Sequence, residues 1–324
     1  MAAAPHLFDR PPDELDRLLP TYGHAGIATR YSCVPLDWYF TRHGWKERTQ
    51  LFAEHAPALL AEAATRCLAS AGVGWERIDS VVAVSTTGIA TPSLDALLME
   101  RLPFRRDLRR LPVFGLGCAG GVLGLARAAE LACAQPGRNV LLLVVELCAL
   151  TFRRGDNSKS NVIATALFGD GASAALISTE GDGPVLGPAG EHTWPGTLDV
   201  MGWHVEEDGL GVLFSRDIPA LVRSQLRDAT ATFLARHGLS LDAIDDHVCH
   251  PGGAKVIDAL EGSFGLVPGA MTEARAVLRD YGNMSAATVL FVLERMLSRQ
   301  RHGRWLMSAL GPGFTVGFQV LSPP

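Results

Sequence analysis

The sequence predicts an α/β protein in which two half-chains repeat one arrangement, a duplicated, five-layered α/β/α/β/α stack. Three observations predict it. Short apolar runs such as SVVAVST (80–86) and NVLLLVVE (139–146) have the length and content of strands buried on both faces. Segments of helical periodicity separate them, so helices must cover the sheets. The alternation pauses at a Gly/Pro-rich stretch, GDGPVLGPAG (181–190), then resumes, dividing the chain into halves 1–180 and 181–324. No residue-level repeat accompanies that division.

Residues 1–28, rich in Pro, Asp and Leu, predict no strand. Leu51, Phe52, Leu59, Leu60, Ala63, Ala64, Cys67, Leu68 and Ala71 recur at helical spacing, so 51–71 buries one helix face. SVVAVST is a strand, and Pro92 stands near the start of a helix, SLDALLMERL. LPVFGLG leads through Cys118 into the helix VLGLARAAELACA, and NVLLLVVE is the next strand. Residues 158–168 are helical and GASAALIS (171–178) is a strand. The second half predicts strands at 198–204 and LGVLFS, a helix over 218–236, and a strand ending in HVCH (247–250). Helices start at Lys255 and at Met284, the latter running to about Gln300. RWLMSAL (304–310) and TVGFQVL (315–321) close the chain as strands joined by GPG.

Bulk properties exclude several classes. A net charge of −5 offers no general attraction to nucleic acid or anionic membrane. Six cysteines without a C-x-x-C pair argue against a zinc ribbon or disulfide framework and suit reduced thiols. No signal-peptide pattern is visible and no apolar run reaches the roughly 18–20 residues of a membrane span, so a cytoplasmic protein is expected.

GLGCAGG (115–121) poses the chemical question. Gly115, Gly117 and Gly120 fit G-x-G-x-x-G, with Glu146 as the ribose-binding acid of a dinucleotide site, somewhat beyond the roughly 20-residue spacing expected. Alternatively the glycines serve Cys118. A cysteine at a strand-to-helix turn meets backbone N–H groups and a positive helix end, which favour thiolate, though a core cysteine sits there equally well. His250, in HVCHPGG, and Asn283, in YGNMSAA, also stand at ends of regular elements, Asn283 where an N-cap belongs. A papain-like thiol hydrolase shares the order Cys, His, Asn but requires a tryptophan-bearing motif absent here. A third reading has Cys118 acylated while His250 and Asn283 stabilise an enolate formed by decarboxylation.

GLGCAGG, ELCALTFR (146–153), ALFGDGASAALI (166–177), HPGG, GNMSAATVLFVLERM (282–296) and GPGFTVG (311–317) resemble the motifs of type III polyketide synthases, chalcone-synthase-like members of the thiolase superfamily. The resemblance covers roughly residues 25–324, and the GLGCAGGVLGLARA context is similar to bacterial alkylpyrone and alkylresorcinol synthases. It implies a thiolase-like fold and a homodimer. It implies the triad Cys118, His250 and Asn283, with acyl-CoA and malonyl-CoA as substrates and no metal or other cofactor. Phe168 matches a gatekeeper between CoA tunnel and cavity, and Val212 stands where the family has a second, aromatic gatekeeper. Thr151, Ala164 and Ala90 match cavity-wall positions, and Gly311, Pro312 and Gly313 match the cavity-floor loop. Arg30 matches a basic residue at the tunnel mouth, and Thr91 one that reaches the partner's cavity. Small residues at Val212, Ala164 and Ala90 point to a medium- or long-chain fatty acyl starter and alkylpyrone or alkylresorcinol products. A ketoacyl synthase III-like enzyme shares triad and fold, but HPGG and GPGFTVG favour the polyketide synthase. An inactive dimerising homologue, acting as a scaffold, is the reading from another class.

Overall fold

The nine residues NVLLLVVEL form β3 (Asn139–Leu147), buried at every position. In a computed structural model, which describes residues 7, 8, 11, 13, 14, 17, 20–299 and 302–323, this strand organises the first half. It pairs in parallel with β1 (Ile78–Val84) and antiparallel with β4 (Asp170–Ile177). β2 (Arg109–Val113) adds a parallel edge beside β1, giving the order β2-β1-β3-β4. The side chains of β3 alternate between two cores, as strand geometry requires. Leu141, Leu143 and Val145 pack with Phe52, Leu60 and Leu68 of α1 (Trp45–Ala71). Val140, Leu142 and Val144 join a second core that includes Val122, Leu125 and Ala128 of α3 (Gly120–Ala134), reached after the short α2 (Leu94–Met99).

The second sheet has the order β5-β10-β9-β8, from β5 (Val185–Thr193), β8 (Asp246–Cys249), β9 (Trp305–Gly311) and β10 (Thr315–Ser322). Gly317 of β10 lies against Leu123 of α3, whereas Phe318 stacks on Phe233 of α5 (Ile218–Ala235) at 4.9 Å on the opposite face. Thus α3 and α8 (Thr288–Leu297) lie between the sheets, with α1 outside one and α5 and α6 (Ala254–Phe264) outside the other. These are the five layers expected. Residues 117–134 are long and apolar enough to cross a membrane by composition, but here they are mostly buried between the sheets. α4 (Lys159–Leu167), which precedes β4, and the hairpin β6 (Met201–Val205)–β7 (Leu210–Phe214), which connects β5 to α5, complete the site walls.

The structure differs from the sequence pattern in three places. β5 runs through the Gly/Pro-rich stretch read as a boundary; as an edge strand it tolerates Pro188, and Gln319 Nε2 donates to Gly187 O at 2.8 Å. Helix α7 (Thr272–Tyr281) stands where no element was expected. The helix expected from Met284 begins at Thr288, after a 3-10 turn at Ser285–Ala287, because the Asn283 side chain takes the Ser285 N–H at 2.8 Å. Its expected end, Gln300, lies outside the described residues. Of the N-terminal stretch, Leu7 and Phe8 are buried beside Phe152, and Pro20–His24 is a single helical turn.

Candidate active site

The turn that carries Cys118 is built by close packing. Cys118 lies in a 3-10 turn, Gly117–Ala119, that runs directly into α3. Gly117 has φ +49°, and the Pro312 ring occupies the place a Cβ would take. Its N–H donates to Thr86 Oγ1 at 2.9 Å, tying the turn to the end of β1. Gly121 has no room for a side chain, because the Ala286 carbonyl and Val289 lie against its Cα. The glycines therefore bring α3 against the segment that carries Asn283; that close approach is their main service here.

His250 follows β8, its N–H donating to Ser308 O at 2.9 Å. Asn283 is anchored by its backbone, which donates to Leu167 O at 2.8 Å and accepts from Gly169 N at 3.0 Å, pairing it with Phe168. Its amide is oriented by its neighbours: Oδ1 accepts from Ser285 N and Nδ2 donates to Gly252 O at 3.2 Å. Cys118 Sγ lies 4.0 Å from Asn283 Oδ1 and 3.7 Å from Ser285 Oγ. All three expected residues, from three separate segments, line one narrow cavity between the halves. It leaves space for about one water and is otherwise walled by apolar side chains such as Met201, Phe214 and Leu310.

Electrostatics in this narrow, buried cavity favour neutral partners. Burial pushes the Cys118 thiol up to about 12, opposed by its hydrogen bonds to Ser285 Oγ and Asn283 Oδ1. Burial likewise lowers His250 to about 3. Neither ring nitrogen of His250 has a hydrogen-bond partner among the described residues. Burial thus favours the neutral thiol and the neutral imidazole, and no hydrogen bond joins the two.

Glu146, the ribose acid of the dinucleotide reading, is fully enclosed at the end of β3. Its Oε2 accepts from Thr86 N at 3.0 Å, Thr87 Oγ1 at 2.8 Å and Ser85 Oγ at 3.4 Å. Burial raises its pKa to about 7. A carboxyl engaged beneath the cysteine turn presents no face to a ribose, and the dinucleotide reading falls with it.

A second cavity, of about 450 Å³, is lined by Phe168, whose backbone pairs with that of Asn283 in the wall of the first. Arg30, Thr151, Ala164, Phe168 and Val212, five residues singled out in the sequence, line it together. Arg30 is held at its edge by Thr165 O and by Phe168 O at 3.1 Å. Gly311, Pro312 and Gly313 line neither cavity; the loop seats against the Cys118 turn, where Gly311 meets Leu116 O and Ala119. Ala90 also departs from its expected wall position, packing beside the first-half core, and Thr91 is exposed. Sequence reasoning passed over Ser285, although it stands two residues from Asn283 in the same motif. It also passed over Trp203, whose indole N–H donates to Thr86 O at 3.0 Å. Only tertiary contact marks that tryptophan.

Comparison with known proteins defines the family. Residues 40–181 match the family of chalcone and stilbene synthases, N-terminal domain, and residues 186–322 match the C-terminal domain. The chain is 39% identical to a putative chalcone synthase of Bacillus subtilis (strain 168), over 96% of this chain and 90% of the relative. It is also 39% identical to a 1,3,6,8-tetrahydroxynaphthalene synthase of Streptomyces peucetius subsp. caesius, over 92% and 81% of the two chains. The crystal structure of the corresponding synthase from Streptomyces coelicolor A3(2), described as a bacterial type III polyketide synthase, superposes with a TM-score of 0.92 at 28% identity, covering 97% and 91%. The chain belongs to the chalcone and stilbene synthase family, the type III polyketide synthases, malonyl-CoA-condensing enzymes of thiolase-like fold.

Proposed function

We propose that the enzyme loads a medium- or long-chain fatty acyl group onto Cys118, extends it with malonyl units and releases alkylpyrones or alkylresorcinols. Cys118 Sγ attacks the acyl-CoA thioester and expels CoA, its proton passing to His250 as substrate brings the two into contact. The malonyl thioester oxygen then lies between His250 and the free Nδ2 proton of Asn283, donors that stabilise the enolate left when CO2 departs. The enolate carbon attacks the acyl-cysteine carbonyl, Cys118 leaves as thiolate, and the lengthened chain returns to it for the next round. CoA thioesters supply every reactant, and no cofactor enters the sequence of steps.

The observation that carries the starter assignment is the cavity of about 450 Å³ beside the triad, with the small side chains Thr151, Ala164 and Val212 in its wall. Burial of an alkyl chain offers up to ~0.8 kcal/mol per methylene, so ten methylenes set an upper bound near ~8 kcal/mol before ordering costs. Similarity to the Streptomyces peucetius enzyme supports a second reading, in which the product is 1,3,6,8-tetrahydroxynaphthalene. Measuring kcat/KM for lauroyl-, acetyl- and coumaroyl-CoA, and analysing products from malonyl-CoA alone, separates the two. A preference for acetyl or coumaroyl starters, or tetrahydroxynaphthalene as the main product, overturns the long-chain assignment and leaves the family intact. We also propose a homodimer formed about the exposed Ile89, Thr91, Leu111 and Phe114.

A further inference from the structure

Arg48, in the first turn of α1, is buried, although its flanking sequence WKERTQ is that of a solvated helix face. Its guanidinium is bound by backbone carbonyls: Nη1 donates to Leu150 O and to Phe152 O at 2.7 Å, and Nε to Asp208 O at 2.9 Å. Nη2 donates to His43 O at 3.1 Å, and the group lies over the Trp38 ring at 5.4 Å. Burial lowers its pKa to about 10, which leaves it charged at neutral pH.

The carbonyls it gathers come from two walls of the cavity beside Phe168. Leu150 and Phe152 bracket Thr151, which lines one wall. Asp208 stands in the tip of the β6–β7 hairpin, whose β7 carries Val212 into the same cavity. This hairpin belongs to neither main sheet, and a lone two-stranded ribbon is marginal by itself, so its position depends on side-chain ties. Trp45 supplies a second tie at the tip, its indole N–H donating to Glu206 O at 2.7 Å, and Arg153 a third, to Asp208 Oδ1 at 2.5 Å. Among the described residues only the Arg48 fork joins the hairpin to both carbonyls flanking Thr151, and a planar guanidinium fixes such geometry as a lysine ammonium does not.

We infer that Arg48 is a positioning residue that sets the gap between the Thr151 and Val212 walls, and with it the length to which the polyketide chain grows. This rests on the reading that extension takes place in that cavity. The test compares Arg48→Lys, which keeps the charge and loses the fork, with Trp45→Phe, which removes one tie from the same hairpin tip. Each variant is given malonyl-CoA and the wild type's best starter, and product chain lengths are read by mass spectrometry. Release of CO2 from malonyl-CoA alone reports the triad. Displacement by about 1 Å can change rates about 100-fold. We expect the ratio of longer to shorter products to rise about tenfold in Arg48→Lys and less in Trp45→Phe, with decarboxylation within about twofold of wild type. An unchanged ratio in the folded variants, or decarboxylation falling in parallel with extension, overturns the inference. If Arg48→Lys does not fold, an unchanged ratio in Trp45→Phe overturns it alone. A wild type that extends no acyl starter refutes the starter reading instead, which keeps the two failures distinct.

Discussion

Substituting Gly121 by alanine tests how α3 controls the triad. A Cβ at this position meets the Ala286 carbonyl oxygen, and Val289 Cγ1 at 2.7 Å. The carbonyl is backbone and cannot rotate away, so the turn Ser285–Ala287 must retreat by about 1 Å to restore ordinary contact. That turn holds the Asn283 amide through the Ser285 N–H and places Ser285 Oγ 3.7 Å from Cys118 Sγ. Overpacking of this kind destabilises by about 1–3 kcal/mol, offset by at most about 1 kcal/mol from the better helix propensity of alanine. The variant therefore folds with a net loss of about 0–3 kcal/mol, while misplacement of the amide lowers malonyl-CoA decarboxylation and extension by about 100-fold. Gly124→Ala is the control. Its Cβ meets Val84 Cγ2 at 2.8 Å and Leu142 Cδ1 at 3.1 Å, side chains with no tie to Asn283, so stability falls and activity persists. Thermal melts and product quantification on both variants decide the matter. Full activity in Gly121→Ala, or equal loss in both, refutes the coupling of α3 to Asn283.

Other predictions follow from the same geometry. Cys118→Ala abolishes extension while slow malonyl-CoA decarboxylation survives; Asn283→Ala loses decarboxylation by about 2.7–4 kcal/mol of transition-state stabilisation and retains acyl loading. Product formation by Cys118→Ala would show that the nucleophile is misassigned. Glu146, raised to about 7 from 4.5, binds its proton more tightly folded than unfolded. Its contribution, about 3 kcal/mol, is therefore fully present below about pH 4.5 and lost as pH rises through about 7. Glu146→Gln should remove that decline in thermal midpoint; the opposite trend from His250, whose pKa is lowered, is common to both proteins and cancels in the comparison. Identical pH slopes for wild type and Glu146→Gln would contradict the assignment. In sedimentation the wild type should run as a dimer at micromolar concentration, and a species of only 34.6 kDa would exclude the proposed interface.

Local pattern carried most of the architecture. The unbroken apolar run in NVLLLVVEL states that both faces of β3 are covered, and the structure shows α1 and α3 doing so. Likewise GLGCAGG, HPGG and GNMSAA each mark an element end where a side chain can face a cleft, and those motifs pointed to Cys118, His250 and Asn283, which line one cavity. What sequence pattern obscured was local competition. Gly187 and Pro188 hide β5, which survives because it is an edge strand, and the Asn283 side chain displaces the first turn of the helix expected at Met284. The Ala274, Val277 and Leu278 spacing in α7 was legible but set among charges. Tertiary structure alone decided three things: the burial of Glu146 beneath the cysteine turn, the seating of Gly311–Gly313 against that turn, and the capture of Arg48. Periodicity reports which face of an element is apolar. It carries no record of backbone carbonyls more than 100 residues away that converge on one guanidinium, because such groups are the same in every residue and only the fold brings them together.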